Sequence, residues 1–339
     1  MEISKDTVVS SIINSGTSIP EHSFRGKEDR CSRIFEWISV KKGGVWHLCT
    51  PGKSQQVIFR TKVHYRYAMT LMAMCAHDCP GVHIITFEIM SNHVHIIAFG
   101  EYQQVMAFFA LFRKRLLRYF SGIGEPVDLS QFDCEKLRPI ESLESLRNQI
   151  CYTNRNNFVV DPDHTPFSYP YGANGYYFMP YAKQRKDKAF GDMSILAKRE
   201  FIHSRNVSYP DDFIIVDDYF SPVNYCRFDV GEGVFRDARH YFYKLSKNIE
   251  CYKEIAEQLG DSVFYTDDEL NDAIYALSKS KYDGRRPSLL DKNEKIEVAQ
   301  VLRYNYNADN AKISRLLKLD VEIVDQLFPT RATGNSVHK

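Results

Sequence analysis

No apolar run in the 339 residues reaches the roughly 18–20 residues that a membrane-spanning helix needs, so no membrane partner is expected. The first residues, MEISKDTVVSSIINSG, lack the basic-then-apolar layout of a signal peptide, and a cytoplasmic location is expected. There is no C-x2-C pair among the eight cysteines. The nearest two, Cys75 and Cys79, make a C-x3-C beside His77, a poor zinc signature. Scattered cysteines of this kind suit free thiols in a reducing compartment. There is no internal repeat and no low-complexity segment. Net charge is also nearly missing, at 44 Lys+Arg against 43 Asp+Glu, but it is unevenly spread. Residues 1–160 carry a net +4 and residues 161–339 a net −3. A mildly basic first half is compatible with a nucleic-acid partner and equally with an ordinary solvated surface.

What is present is the usual globular mixture, 44% hydrophobic and 26% charged, which excludes disorder as the main state. The length suggests about two domains. The aromatic content, 22 Phe, 21 Tyr and 2 Trp, supplies core in any fold and can also stack on bases. Residues 1–30 are polar and read as a flexible arm. Val45–Cys49 (VWHLC) reads as a strand closed by Thr50-Pro51-Gly52, with a second short apolar run at Gln56–Phe59. Lys62–His77 has helical spacing and stops near Pro80-Gly81. Val82–Met90 and His93–Phe99 are strands joined at Ser91-Asn92, a β-hairpin. Gln103–Phe120 is an amphipathic helix, and a further helix begins at Ser142 and runs to Tyr152 or beyond. This order predicts an α+β fold, an antiparallel sheet with helices packed on it. Residues 161–182 form a turn-laden connector and 212–220 (DFIIVDDYF) are strand-like. Helices follow at Gly233–Ser246, Ile249–Leu259 and Asp267–Ser278. Three more, Asp291–Tyr304, Asp309–Leu317 and Asp320–Phe328, end the chain. The organisation expected is an arm over 1–30, a domain over 31–170, a mainly helical extension over 171–290 and a tri-helix over 291–330.

Three clusters carry chemistry. In Asn92-His93-Val94-His95, side chains alternate across a strand, so His93 and His95 share one face. Two imidazoles about 6–7 Å apart along a strand can share a divalent metal ion, or they can be two packed strand histidines. In Cys151-Tyr152-Thr153-Asn154-Arg155-Asn156, a continuing helix puts Tyr152 and Asn156 at i and i+4 on one face. A tyrosine phenol can be a covalent nucleophile and an amide oxygen suits a hard divalent ion. The bland alternative is a half-buried aromatic followed by capping asparagines. Arg113, Lys114, Arg115 and Arg118 concentrate four cations in six residues of one helix, either a solvated face or a contact with DNA phosphates.

Together these strings resemble the single-tyrosine HUH transposases, the group that includes the REP-associated tyrosine transposases. FEIMSNHVHIIAFG (87–100) resembles the family's strand, turn, His-hydrophobe-His and second strand. VWHLCTPGKSQQVIF (45–59) is similar to its opening strand, glycine turn and following Phe. The helix 103–120 falls where the family's arginine-rich helix follows the hairpin. ESLRNQICYTNRNNFVVDPDHTPFSY (144–169) is similar to its closing segment. Ser91 stands where proline is usual, Asn157 replaces the proline after Asn156, and Cys151 replaces a common arginine. The resemblance spans about 45–170. It implies an HUH endonuclease-like domain in which Tyr152 is the nucleophile and His93, His95 and Asn156 hold Mg²⁺ or Mn²⁺. It also implies single-stranded or hairpin DNA as substrate and a 5′-phosphotyrosine intermediate, as in DNA transposition. Glu88 would support the site from the neighbouring strand, and Tyr119 on the basic helix is the rival nucleophile.

Two other readings stay open. One is a non-catalytic DNA-binding regulator derived from a transposase, and the other a metal-dependent hydrolase with a water nucleophile. The tri-helix resembles a helix-turn-helix, with Ile313, Leu316, Leu317, Val321, Val324 and Leu327 as a small core. Its last helix carries Asp320, Glu322 and Asp325, whereas direct base reading draws mainly on Arg, Lys, Asn or Gln. DNA contact and protein contact therefore remain alternatives for it. The oligomeric state is open between monomer and homodimer.

Overall fold

The computed structural model describes residues 26–51, 56–160, 169–247, 255–256, 259, 265, 267–306 and 308–329. They belong to two compact units, Met1–Arg155 with Pro166–Ile255, and Asn156–Thr165 with Ala256–Lys339. The 171–290 extension is thus divided between them.

The first unit is α+β. Helix α1 (Lys27–Val40) leads to β1 (Val45–Cys49), α2 (Lys62–Asp78), β2 (His83–Ile89), β3 (Val94–Phe99), α3 (Tyr102–Gly122), β4 (Arg138–Pro139) and α4 (Leu143–Val160). The strands form one antiparallel sheet in the order β2-β3-β1-β4. The β2–β3 hairpin is the one the sequence predicts. Met90 N–H donates to His93 O at 2.9 Å and closes the Ser91-Asn92 turn. The apolar run Gln56–Phe59 is not a strand. Ile58 and Phe59 instead both donate their N–H to Ser91 O, at 2.8 and 2.9 Å, and are buried against the hairpin tip.

The arm expected over 1–30 differs at its end. Residues 1–25 lie outside the described residues, and Lys27–Arg30 are already the first turn of α1. Glu28 and Asp29 suit a helix N-terminus, and Arg147 on α4 forks onto the Glu28 carboxylate at 2.8 and 3.1 Å. Helix α4 runs on past Tyr152 because no glycine or proline interrupts 143–160, and Ser142 Oγ accepts from Ser145 N–H at its start.

Beyond the connector come α5 (Pro180–Gln184), β5 (Lys188–Ala189), α6 (Ile195–Ile202), β6 (Ile214–Val216), β7 (Tyr219–Phe220), α7 (Phe228–Gly233) and α8 (Ala238–Lys247). This segment shields the exposed edge of β2, an edge that would otherwise offer unpaired backbone groups to other chains. Ile89 N–H donates to Tyr171 O, Ala173 N–H to Phe87 O and Arg227 N–H to Ile84 O. Tyr177 Oη donates to Ile85 O at the bulge between Ile84 and Thr86. The stretch 212–220, strand-like in sequence, is a hairpin. Asp217 and Asp218 both take positive φ, 46° and 62°, the geometry of a two-residue turn whose twist matches its strands. The helix expected over Gly233–Ser246 is broken, because Asp237 begins a new one by accepting from His240 N–H at 3.0 Å.

The second unit is helical: α9 (Asp267–Lys281), α10 (Lys292–Asn305), α11 (Asn310–Leu317) and α12 (Val321–Leu327). The helix expected at Ile249–Leu259 lies almost wholly outside the described residues. Asp291, Asp309 and Asp320 are the N-caps of the last three helices, and Lys318 turns the chain in the left-handed region at φ 50°. Ile313, Leu317 and Val324 are buried as expected, with Val298, Ala299 and Leu302 of α10. Val321 is instead 52% exposed. Among the described residues no helix is long and apolar enough to cross a membrane.

Candidate active site

The sheet register builds the site. Strand alternation places His47 and Cys49 of β1 on one face. Cys49 pairs with His95 and His47 with Ile97, so His95 lies on that same face, diagonal to His47. Glu88 of β2 stands directly across from His95 in register. His47 and His95 are fully buried, and Glu88 and His93 are nearly so. Thr50 pins the start of β3 with two hydrogen bonds to Val94, one from its own N–H and one received at Oγ1.

Helix α4 lies over this face, each turn answering a different strand. Gln149 Oε1 sits 2.8 Å from His47 Nδ1. The Tyr152 ring meets the His95 ring edge-on, with centroids 5.6 Å apart at 83°. Thr86 Oγ1 donates to Asn154 Oδ1, and Asn154 Nδ2 donates to Tyr241 Oη at 2.8 Å. Tyr241 Oη in turn donates to Asn174 Oδ1. The helix is therefore fixed in register over the sheet by polar contacts as well as by packing.

The two motif histidines are side by side, with ring centroids 5.1 Å apart at 80°. Each has Nδ1 engaged by a neighbour. His93 Nδ1 is 2.7 Å from Asn92 Oδ1, and His95 Nδ1 is 3.2 Å from His47 Nε2. His95 Nε2 is 3.9 Å from the Cys49 thiol. Asn156 is buried and follows Tyr152 by one turn of α4, as the spacing predicts, at the point where the second unit begins. Among the described residues no set of three or more His, Cys, Asp or Glu side chains is disposed to hold one metal ion. Cys75 and Cys79 make no disulfide, and every described cysteine is a free thiol.

The four cations of the basic helix do not share one face. Successive residues of a helix are turned by about 100°, which sets Arg113 apart and leaves Lys114, Arg115 and Arg118 within about 100° of one another. Arg113 Nη2 donates to Leu129 O at 2.8 Å, and Arg115 pairs with Asp78 at 2.6 Å. Lys114 and Arg118 are exposed. Arg118 and Arg115 line a cleft of about 470 Å³ with Tyr67, Tyr119, His203 and Tyr209. Tyr119, the rival nucleophile, is stacked on Tyr67 with centroids 3.7 Å apart. Its other ring neighbours are His64, Phe120 and His203. Burial raises the Tyr119 phenol pKa above its ordinary value, which disfavours the phenolate a nucleophile needs. Burial likewise lowers the pKa of His64, against the opposing pull of Glu125.

Sequence reading left out His47, Gln149 and Cys49. Comparison with family models, with curated proteins and with solved structures finds no match to this chain.

Proposed function

We propose that the protein nicks and joins single-stranded DNA through a tyrosine-linked intermediate, in the manner of the HUH transposases its sequence resembles. The observation that carries this reading is the meeting of Tyr152 with His95. Two motifs 57 positions apart in sequence, each ambiguous alone, lie against each other on one face of the sheet. Two imidazoles and an amide oxygen are donors that a divalent ion accepts, and the Nδ1 of each histidine is held by a neighbour. On this reading His93 and His95 hold Mg²⁺ or Mn²⁺, and the family register adds the Asn156 amide oxygen. When bound, the ion polarises the phosphoryl oxygens and offsets charge on the leaving oxygen. The Tyr152 phenolic oxygen attacks the phosphorus and gives up its proton as the P–O3′ bond breaks. A 5′-phosphotyrosine forms, and the 3′ oxygen departs and takes up a proton. Rejoining reverses the step, so no nucleoside triphosphate is consumed. Exposed Lys114 and Arg118 serve the DNA backbone, and α10–α12 are read as a helix-turn-helix-like unit.

One observation favours the second reading, a non-catalytic DNA-binding regulator. His95 and Tyr152 are 0% and 3% exposed, so a phosphate reaches them only after some movement of the surrounding chain. The same experiment separates the two. The full chain is incubated with Mn²⁺ and single-stranded hairpin oligonucleotides labelled on either side of the loop, then run under denaturing conditions. A labelled band at protein-plus-DNA mass supports the nicking enzyme. Retarded DNA on native gels with no covalent band under any metal supports the regulator. Cleavage with no covalent band points to a water nucleophile.

A further inference from the structure

The cleft lined by α2, α3 and the end of α6 shares no residue with the Tyr152 site. Its volume is about 470 Å³, within the usual range of small-molecule sites. Its inner wall is aromatic and nearly buried. Tyr67 and Tyr119 stack at 3.7 Å and 15°, and the His203 ring stands close to perpendicular to both, 5.1 and 4.9 Å away. His203 therefore lies beside the stack rather than on it. It reaches that place from the left-handed region, at φ 46°, as the residue that ends α6. The partly exposed Ile123 adds an apolar side to the mouth.

The polar groups of the lining are mostly donors. They include Arg115 and Arg118 and, among the described residues, no Asp or Glu. The two arginines are three positions apart on α3, about 60° around the helix. Asp78 pairs with Arg115 at 2.6 Å. Arg118 is exposed and, among the described residues, paired with no carboxylate. Asn206 Oδ1 accepts from Ser208 N–H at 3.1 Å, and Ser204 Oγ accepts from Asn206 N–H at 3.2 Å. A backbone N–H only donates, so both contacts occupy oxygen lone pairs. The amide hydrogens of Asn206 and the hydroxyl hydrogen of Ser204 are left for other acceptors.

We propose that this cleft binds a nucleotide, with the base against the tyrosine–histidine wall and the phosphate against Arg118. A bare phosphate would answer the arginine and leave the ring edges and Ile123 wet. An uncharged aromatic ligand would cover the wall and leave the guanidinium and the Asn206 and Ser204 donors unanswered. A base with its phosphate answers both, because it joins a flat ring to acceptor oxygens and negative charge. That chemistry comes from two sources, a free nucleoside monophosphate or one unpaired nucleotide of single-stranded DNA. The first is independent of the nicking reading, and the second rests on its DNA partner. Gly122 lines the same cleft, and a Cβ added there meets no atom within 4 Å. The mouth can therefore be filled from a surface position without disturbing the core.

The test uses the full chain and equilibrium binding. The four deoxynucleoside monophosphates are titrated by calorimetry, with inorganic phosphate as the control. A hairpin oligonucleotide with a single-stranded flank is compared with copies in which one flank position at a time is abasic. At least one monophosphate is expected to bind about 10-fold tighter than phosphate. Arg118→Gln should weaken it by about 10-fold, and Gly122→Leu should remove it with the unfolding midpoint unchanged. Where no free monophosphate binds, an abasic position that weakens the parent about 10-fold and Gly122→Leu not at all supports the proposal with DNA as the source. If Gly122→Leu does not fold, Arg118→Gln and Asn206→Ala, both at exposed positions, carry the test. Phosphate bound as tightly as every monophosphate overturns the proposal, as does monophosphate binding untouched in the folded variants. No monophosphate binding together with no abasic effect overturns it as well. A parent that forms no covalent adduct removes the nicking reading and leaves these titrations to be read as before.

Discussion

Tyr152 on α4 stands edge-on to His95 on β3, the ring centroids 5.6 Å apart at 83°. A strand residue and a helix residue 57 positions apart in sequence thus form the centre of the site. What holds them there is a set of polar contacts on either side, Gln149 to His47 and Asn154 to Thr86.

Removing the two motif histidines separates ligand from scaffold. His93→Ala with His95→Ala should abolish Mn²⁺ binding and metal-dependent cleavage. It should also lower stability by about 1–3 kcal/mol, because the His95 change removes the buried contact between His47 Nε2 and His95 Nδ1. Isothermal titration and denaturant unfolding check the two parts. Full cleavage by the folded double variant would show that these rings are packing residues.

The basic helix should divide by side. Lys114→Ala and Arg118→Ala are expected to weaken single-strand binding and to flatten the slope of log affinity against log salt by roughly 0.7 each. Arg113→Ala should leave the slope alone and cost about 1 kcal/mol of stability, since its guanidinium is used on Leu129 O. Fluorescence anisotropy at several salt concentrations distinguishes the groups. Equal slopes for all three variants and the parent would make the exposed pair an ordinary solvated surface.

The hairpin and the long helices were legible because each is announced locally, the hairpin by Ser91-Asn92 between two apolar runs and the helices by unbroken helical spacing. Their pairing was not. His47 lies in VWHLC, where nothing nearby marks it. Only the antiparallel register, Cys49 against His95, brings it within 3.2 Å of the motif. Gln149 reads as one more polar helix residue until the helix is laid on the sheet. Helix α1 escaped notice because its first turns are charged and its anchor, Arg147, is 119 positions away. The break before α8 depends on a single capping carboxylate, Asp237. Arg113 reads as part of one patch with Lys114, Arg115 and Arg118 because a linear string hides the 100° turn between neighbours.

The anchor of α1 should be pH-dependent. The hydrogen bond from Arg147, aided by its charge, holds the Glu28 carboxyl below its ordinary value of 4.5, while desolvation opposes it. A lowered folded-state pKa stabilises above the unfolded value and loses that contribution as pH falls through the folded value. The Glu28 side chain is 55% exposed, which limits the gain to about 0.2–1 kcal/mol. The stability difference between the parent and Glu28→Gln should therefore be present at neutral pH and vanish below the folded pKa. Chemical unfolding of both proteins across the acid range checks it, and a difference that grows with acidity would reverse the sign.

In the helical unit, Asp291 Oδ1 accepts from Glu294 N–H and Glu294 Oε2 accepts from Asp291 N–H, both at 2.9 Å. Losing this reciprocal cap in Asp291→Ala should cost about 0.5–2 kcal/mol. Hydrogen exchange should show the loss in the first turn of α10, with the β1–β3 amides unchanged. Loss of protection in the β1–β3 amides as well would contradict a local capping role.

The central claim is that Tyr152 is the atom donor in DNA cleavage, and peptide mapping of the adduct tests it most directly. The protein is reacted with a hairpin oligonucleotide and Mn²⁺, the DNA is trimmed by nuclease, and the protein is digested and sequenced by mass spectrometry. The account predicts a residual nucleotide phosphate on the peptide containing Tyr152. It also predicts no adduct in Tyr152→Phe and a normal adduct in Tyr119→Phe. A nucleotide phosphate on Tyr119, or adduct at the parent level in Tyr152→Phe, would contradict it.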